Sequence, residues 1–126
     1  MYLLDTHTYL WFLNDDPRLP VKVKEIIKRA DGLHISIATF WEMAIKSNLK
    51  KLTLPTSISN LMADCDPYQI SILPIKPTHL DDVERMPNFH GDPFDRLILS
   101  QAITEDMTIL SADGKFGLYG VRILWA

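Results

Sequence analysis

Residues 90–113 read HGDPFDRLILSQAITEDMTILSAD, and they hold the pattern that decides the fold class. Pro93 to Thr104 has the apolar spacing of a helix, opened by Asp92 as a cap and by proline at the first helical position. MTILSAD (107–113) follows as a short apolar strand ending in an acid. The same alternation runs back through the chain. Tyr2–Leu4 reads as a strand ending at Asp5, and Thr6 or Thr8 is placed to cap a short helix to Leu13. A helix opened by Pro20 and stopped at Asp31-Gly32 precedes a second strand, LHIS (33–36). A clear helix spans 38–52 with Thr39 near its start, and a weaker one spans Thr56 to about Cys65. QISILPI (69–75) reads as a strand, THLDDVERM (78–86) as a helix and VRILW (121–125) as a final edge strand. Strands alternating with helices predict one α/β domain over residues 1–126 with a mainly parallel sheet. Ligands of such sheets bind outside the carboxyl ends of the strands.

Composition narrows the classes. The chain has 126 residues, 47% hydrophobic and 23% charged, which is ordinary for a water-soluble domain. It has no apolar run long enough to span a bilayer. The N-terminal MYLLDTHTYLWFLNDD carries neither a basic leader nor a small-residue cleavage site, so a cytoplasmic protein is expected. A single cysteine, Cys65, excludes an internal disulfide and a thiolate-rich zinc site. The net charge of −3 gives no global signature of nucleic-acid binding, although phosphate contacts depend on local basic groups rather than on the sum.

The acids stand in informative places. Asp5 and Asp113 end strands, where each is also a common turn residue. Glu42 lies among Ala38, Trp41, Ile45 and Leu49, an apolar stripe on which a glutamate is anomalous unless it reaches the stripe's edge or pairs with Lys46 one turn on. Asp95 precedes Ile98, Leu99 and Ala102 at helical spacing and so projects from the apolar side, whereas capping accounts for Asp92. Two unit charges about 4 Å apart at an effective dielectric of 20 repel by about 4 kcal/mol, so converging carboxylates need protons or a cation. Oxygen ligands of this kind suit Mg2+ or Mn2+ rather than zinc. Such an ion can activate water for attack at phosphorus. Lys46, Arg96 and Lys115 are close in sequence to the acids and are candidates for holding the rest of a polyanion, with Lys50 and Lys51 extending the first. The four histidines show no ligand spacing, though His7 and His90 neighbour the acids.

LLDTHTYLWFL (3–13), SIATFWEMAIK (36–46), GDPFDRLILSQA (91–102) and ILSADGKF (109–116) together resemble the motif blocks of PIN domains, most closely the VapC-type toxins of bacterial toxin–antitoxin pairs. The resemblance covers essentially the whole chain. It implies an α/β/α sandwich and a metal-dependent ribonuclease cutting single-stranded or loop RNA. It assigns Asp5, Asp95 and Asp113 as the main ligands of Mg2+ or Mn2+, with Glu42 completing the pocket by orienting water or binding a second ion. It places a pocket-lining hydroxyl at Thr6 or Ser111, and leaves Asp92 as an extra acid with a cap or outer-sphere role. It further implies a homodimer silenced by a cognate antitoxin. A receiver-type signalling domain is the main alternative with an acidic Mg2+ pocket, but LHIS and QISILPI lack the phospho-accepting aspartate. An aspartate-nucleophile phosphatase would need an acid where LLDTHT has His7. A binding module on the same scaffold without turnover shares all four acids.

Overall fold

The computed structural model describes residues 1–89 and 91–125. Among these, five strands form one sheet in the order β3-β2-β1-β4-β5. They are β1 (Tyr2–Leu4), β2 (Leu33–Ser36), β3 (Ile70–Leu73), β4 (Thr108–Leu110) and β5 (Ile123–Leu124). Every pairing is parallel, with Leu4 opposite both Ile35 and Leu110. This order differs from the 2-1-3-4-5 order of receiver-type domains. The chain winds from β1 outward through β2 to β3, then returns to lay β4 on the other side of β1. The point where the winding reverses is the crevice between the ends of β1 and β4.

Alternation along these short strands divides the interior in two. Leu4, Leu33, Ile35, Ile70 and Leu110 face one layer, packed against α1 (Thr6–Leu13), α2 (Val21–Arg29), α3 (Ile37–Asn48) and α4 (Ile58–Ala63). Leu3, Leu73 and Ile109 face the other, with Ile98, Leu99 and Ala102 of α6 (Pro93–Thr104) and Phe116. α5 (Pro77–Arg85) packs beside α6. Helices on both faces of a parallel sheet make the α/β/α sandwich that the sequence predicts. None of these helices is long and apolar enough to cross a membrane.

Several boundaries differ from the sequence reading, and three of them are instructive. The helix predicted over 38–52 starts at Ile37, capped by Ser36, whose hydroxyl accepts from the Ala38 amide. It ends at Asn48, because Lys50 enters the left-handed region with φ 59°. The strand expected over 69–75 is only Ile70–Leu73, since Gln69 is itself left-handed at φ 55° and closes a 3-10 turn over Asp66–Tyr68. The strand expected over 107–113 stops at Leu110. That early stop frees Ser111 to leave the ladder and bond sideways.

Candidate active site

Asp5 follows β1 and caps α1, a role the sequence reading gave to Thr6 or Thr8. Its Oδ1 accepts from the Thr8 amide at 3.0 Å. The Thr8 hydroxyl lies 2.8 Å from the same oxygen and 2.7 Å from the Leu110 carbonyl, with one proton to share between them. Its Oδ2 accepts from the Ser111 hydroxyl, just past the end of β4. Ser111 Oγ in turn accepts from the Asp113 amide at 3.0 Å. Asp113 caps the 3-10 turn Gly114–Tyr119 by accepting from the Lys115 amide at 2.9 Å. The reversal point of the sheet is therefore bridged by a chain of polar groups running from Thr8 through Asp5 and Ser111 to Asp113.

A second chain starts one residue later. The Thr6 hydroxyl, buried at the start of α1, donates to Glu42 Oε1 at 2.6 Å. Glu42 Oε2 accepts from Lys46 Nζ at 2.6 Å, an i,i+4 pair along α3. Glu42 is only 5% exposed, so the anomalous glutamate is inside the protein. The pairing with Lys46 that the sequence left open is present as well. The stripe is placed differently, however. Trp41 is 58% exposed and Leu49 56%, so the buried face of α3 runs through Ala38, Thr39, Phe40 and Met43, with Glu42 at its margin. The ring of Trp41 stands edge-on to that of Phe94, with centroids 5.1 Å apart.

At the start of α6, Asp92 caps the helix, its Oδ1 accepting from the amides of Phe94 and Asp95 at 2.8 and 3.0 Å. Asp95 lies in the first turn, half-buried. The Glu42 carboxylate, first by its hydrogen bond and then by its charge, holds the Lys46 ammonium above the usual lysine range, and the two aspartates add to it.

The remaining candidates fare differently. The Arg96 guanidinium is aimed at the end of α5, donating to the carbonyls of Pro87, Val83 and Met86 at 3.0, 3.3 and 3.4 Å. These bonds anchor its guanidinium beside the end of α5. Lys115 is exposed beside Asp113. His7 is exposed with its ring 5.7 Å from that of Trp11. His90 lies outside the described residues. The Cys65 thiol is buried against the Tyr9 hydroxyl and pushed up by that burial, so it is no poised nucleophile. Thr8 was missed by the sequence reading; a hydroxyl three residues after a strand-terminal aspartate was the available signal.

The donors fit a hard divalent cation in kind: carboxylates and hydroxyls from four elements, all oxygen. As they stand, no three Asp, Glu, His or Cys side chains among the described residues form a group that could hold an ion. The contacts among the described residues hold Asp5 by hydroxyls and an amide, and Glu42 by a hydroxyl and an ammonium.

The family model described as PIN domain matches residues 2–121. The chain belongs to the PIN domain family. A curated PIN relative, ribonuclease VapC22 of Mycobacterium tuberculosis, is 25% identical over 114 residues, covering 90% of this chain and 87% of the relative. Two solved structures share the fold. VapBC2 from Rickettsia felis, bound to a DNA fragment from its promoter, superposes with a TM-score of 0.70 at 17% identity, covering 99% of this chain and 98% of that one. FitAcB from Neisseria gonorrhoeae gives a TM-score of 0.69 at 18% identity, covering 98% and 96%. The PIN assignment removes the receiver-type reading, in agreement with the strand order.

Proposed function

We propose that this PIN domain is a divalent-metal-dependent endoribonuclease acting as the toxin of a toxin–antitoxin pair in the cytoplasm. The observation that carries the reading is the bridge at the reversal point of the sheet, where Asp5 after β1 meets Ser111 and Asp113 after β4. Glu42 is tied into the same edge through Thr6. The ribonuclease name of the curated relative supports the activity, and the VapBC2 complex on promoter DNA supports a protein partner that serves as antitoxin. The homodimer remains part of this reading.

In this mechanism Asp5, Asp95, Asp113 and Glu42 would hold Mg2+ or Mn2+. The ion's chemistry, when it is bound, is to lower the pKa of water and to offset charge developing on the phosphate. The chain's own residues do the rest. Thr8 and Ser111 fix both oxygens of Asp5, so its carboxylate needs no reordering during the reaction. Thr6 fixes one oxygen of Glu42 and leaves the other toward Lys46. Lys46 and Lys115 supply positive charge for RNA phosphates at the same edge. Asp92 aims the first turn of α6, from which Asp95 projects.

The purified protein, incubated with a structured RNA, should cleave it in Mn2+ and lose all cleavage in EDTA. Cleavage unaffected by EDTA would overturn the metal mechanism, and RNA bound but never cut would favour a binding module. Expression without a partner should arrest growth; unchanged growth would remove the toxin role while leaving the nuclease intact.

A further inference from the structure

We propose that Lys46 is a built-in counter-ion of the site, and that a divalent cation must compete with its ammonium for Glu42. The inference rests on the metal-nuclease reading above and concerns how that site is regulated. Two observations carry it. The Glu42 carboxylate is fixed at both ends, one oxygen bonded to the Thr6 hydroxyl and the other to the Lys46 ammonium, each at 2.6 Å. The pair is asymmetric in exposure, since the Glu42 side chain is 6% exposed and that of Lys46 39%. The acid is therefore held in place, while the lysine reaches it from the solvent side on a flexible four-carbon stem.

Arg96 donates to the carbonyls of Val83, Met86 and Pro87, and Lys115 follows Asp113 in the turn Gly114–Tyr119. A carboxylate removed from water needs a counter-charge, and at Glu42 the chain supplies its own. A divalent ion on Glu42 repels an ammonium at hydrogen-bond distance, so binding of the ion swings Lys46 outward. The lysine neutralises Glu42 while no ion is bound and weakens the apparent affinity for the ion.

The test is Mn2+ titration of the full chain, followed by the electron paramagnetic resonance of free Mn2+ and by melting temperature. It compares wild type, Lys46→Met and Lys46→Arg, with Lys46→Gln as a second neutral variant should the methionine protein not fold. The neutral variant should melt lower than wild type in EDTA and half-saturate at a Mn2+ concentration at least about tenfold lower, roughly 1.4 kcal/mol in binding. Lys46→Arg, which keeps the charge, should not tighten Mn2+ binding. Half-saturation that is unchanged or higher in the neutral variant would overturn the role of Lys46 while leaving the metal site standing. Absence of Mn2+ binding in both wild type and the neutral variant would overturn the metal site and this proposal together.

Discussion

Buried polar side chains occur in two regions of this molecule and behave differently in each. At the ends of β1 and β4, side chains bond to side chains far away in sequence: Thr6 to Glu42 across 36 residues and Ser111 to Asp5 across 106. In the α5–α6 pair, side chains bond mainly to backbone carbonyls. Ser100 donates to His79 O at 2.6 Å, Gln101 to Pro74 O at 3.2 Å, and Arg96 to three carbonyls around the end of α5. His79 is fully buried, its Nδ1 accepting from the Lys76 amide. Burial of a polar group therefore does not by itself mark chemistry. The partner does: a carbonyl satisfied at a helix end is structure, whereas acids from separate elements held at one sheet edge cost stability unless something else rewards them.

That contrast predicts opposite responses to substitution. The largest effect belongs to the crevice. Glu42→Gln keeps the shape and the Thr6 contact but removes the charge, and RNA cleavage should fall at least about 100-fold, roughly 2.7 kcal/mol in transition-state stabilisation. Melting temperature should move by only a few degrees. A variant that cuts normally would move Glu42 into the structural class.

In the α5–α6 pair, Arg96→Met removes three bonds to carbonyls and should cost about 2 kcal/mol of stability by chemical denaturation. The cleavage rate of the folded fraction should stay within about threefold. Weaker RNA binding with unchanged stability would return Arg96 to the phosphate-binding group. Asp92 sits on the border between the regions, and Asp92→Ala should cost about 1 kcal/mol through loss of the cap, with Asp92→Asn nearly neutral. A loss of activity in Asp92→Asn at constant stability would show that this acid serves the site as well.

The smallest effect is a pH dependence from His79. Burial holds its imidazole below the ordinary histidine value of 6.5, opposed in part by Glu105. The unfolded chain thus takes up a proton at a higher pH than the folded one, and stability falls as pH drops below about 6.5 until the folded group also protonates. Thermal melts between pH 8 and pH 5 should show this decline, and it should shrink in His79→Gln. An unchanged slope would mean that other groups dominate.

Much of this was legible in the sequence, and the gaps have physical reasons. The helix over Pro93–Thr104 matches its predicted span because proline, a capping aspartate and a regular apolar pattern all agree. The oddity of Glu42 was visible because few buried faces tolerate a lone acid. Its surroundings were not, since residues at i±3 and i±4 spread over a wide arc. The pattern alone placed Trp41 and Leu49 inside, where the structure leaves them exposed. The bonds of Arg96 to carbonyls were not visible because those partners lie 9 to 13 residues away in an adjoining turn. The Ser111 bond to Asp5 and the Thr8 contact with the Leu110 carbonyl form only when β4 is laid beside β1, a neighbourhood that topology creates.

The most direct measurement makes two readings on one variant, Asp5→Asn, which keeps the side-chain oxygen that accepts from the Thr8 amide. Melting temperature and RNA cleavage in Mn2+ are read on the same preparation. The account predicts a melting temperature within about 4 °C of wild type, in keeping with a change of about 1 kcal/mol, and no detectable cleavage. Cleavage at the wild-type rate, or a collapse of stability with proportionate residual activity, would contradict it.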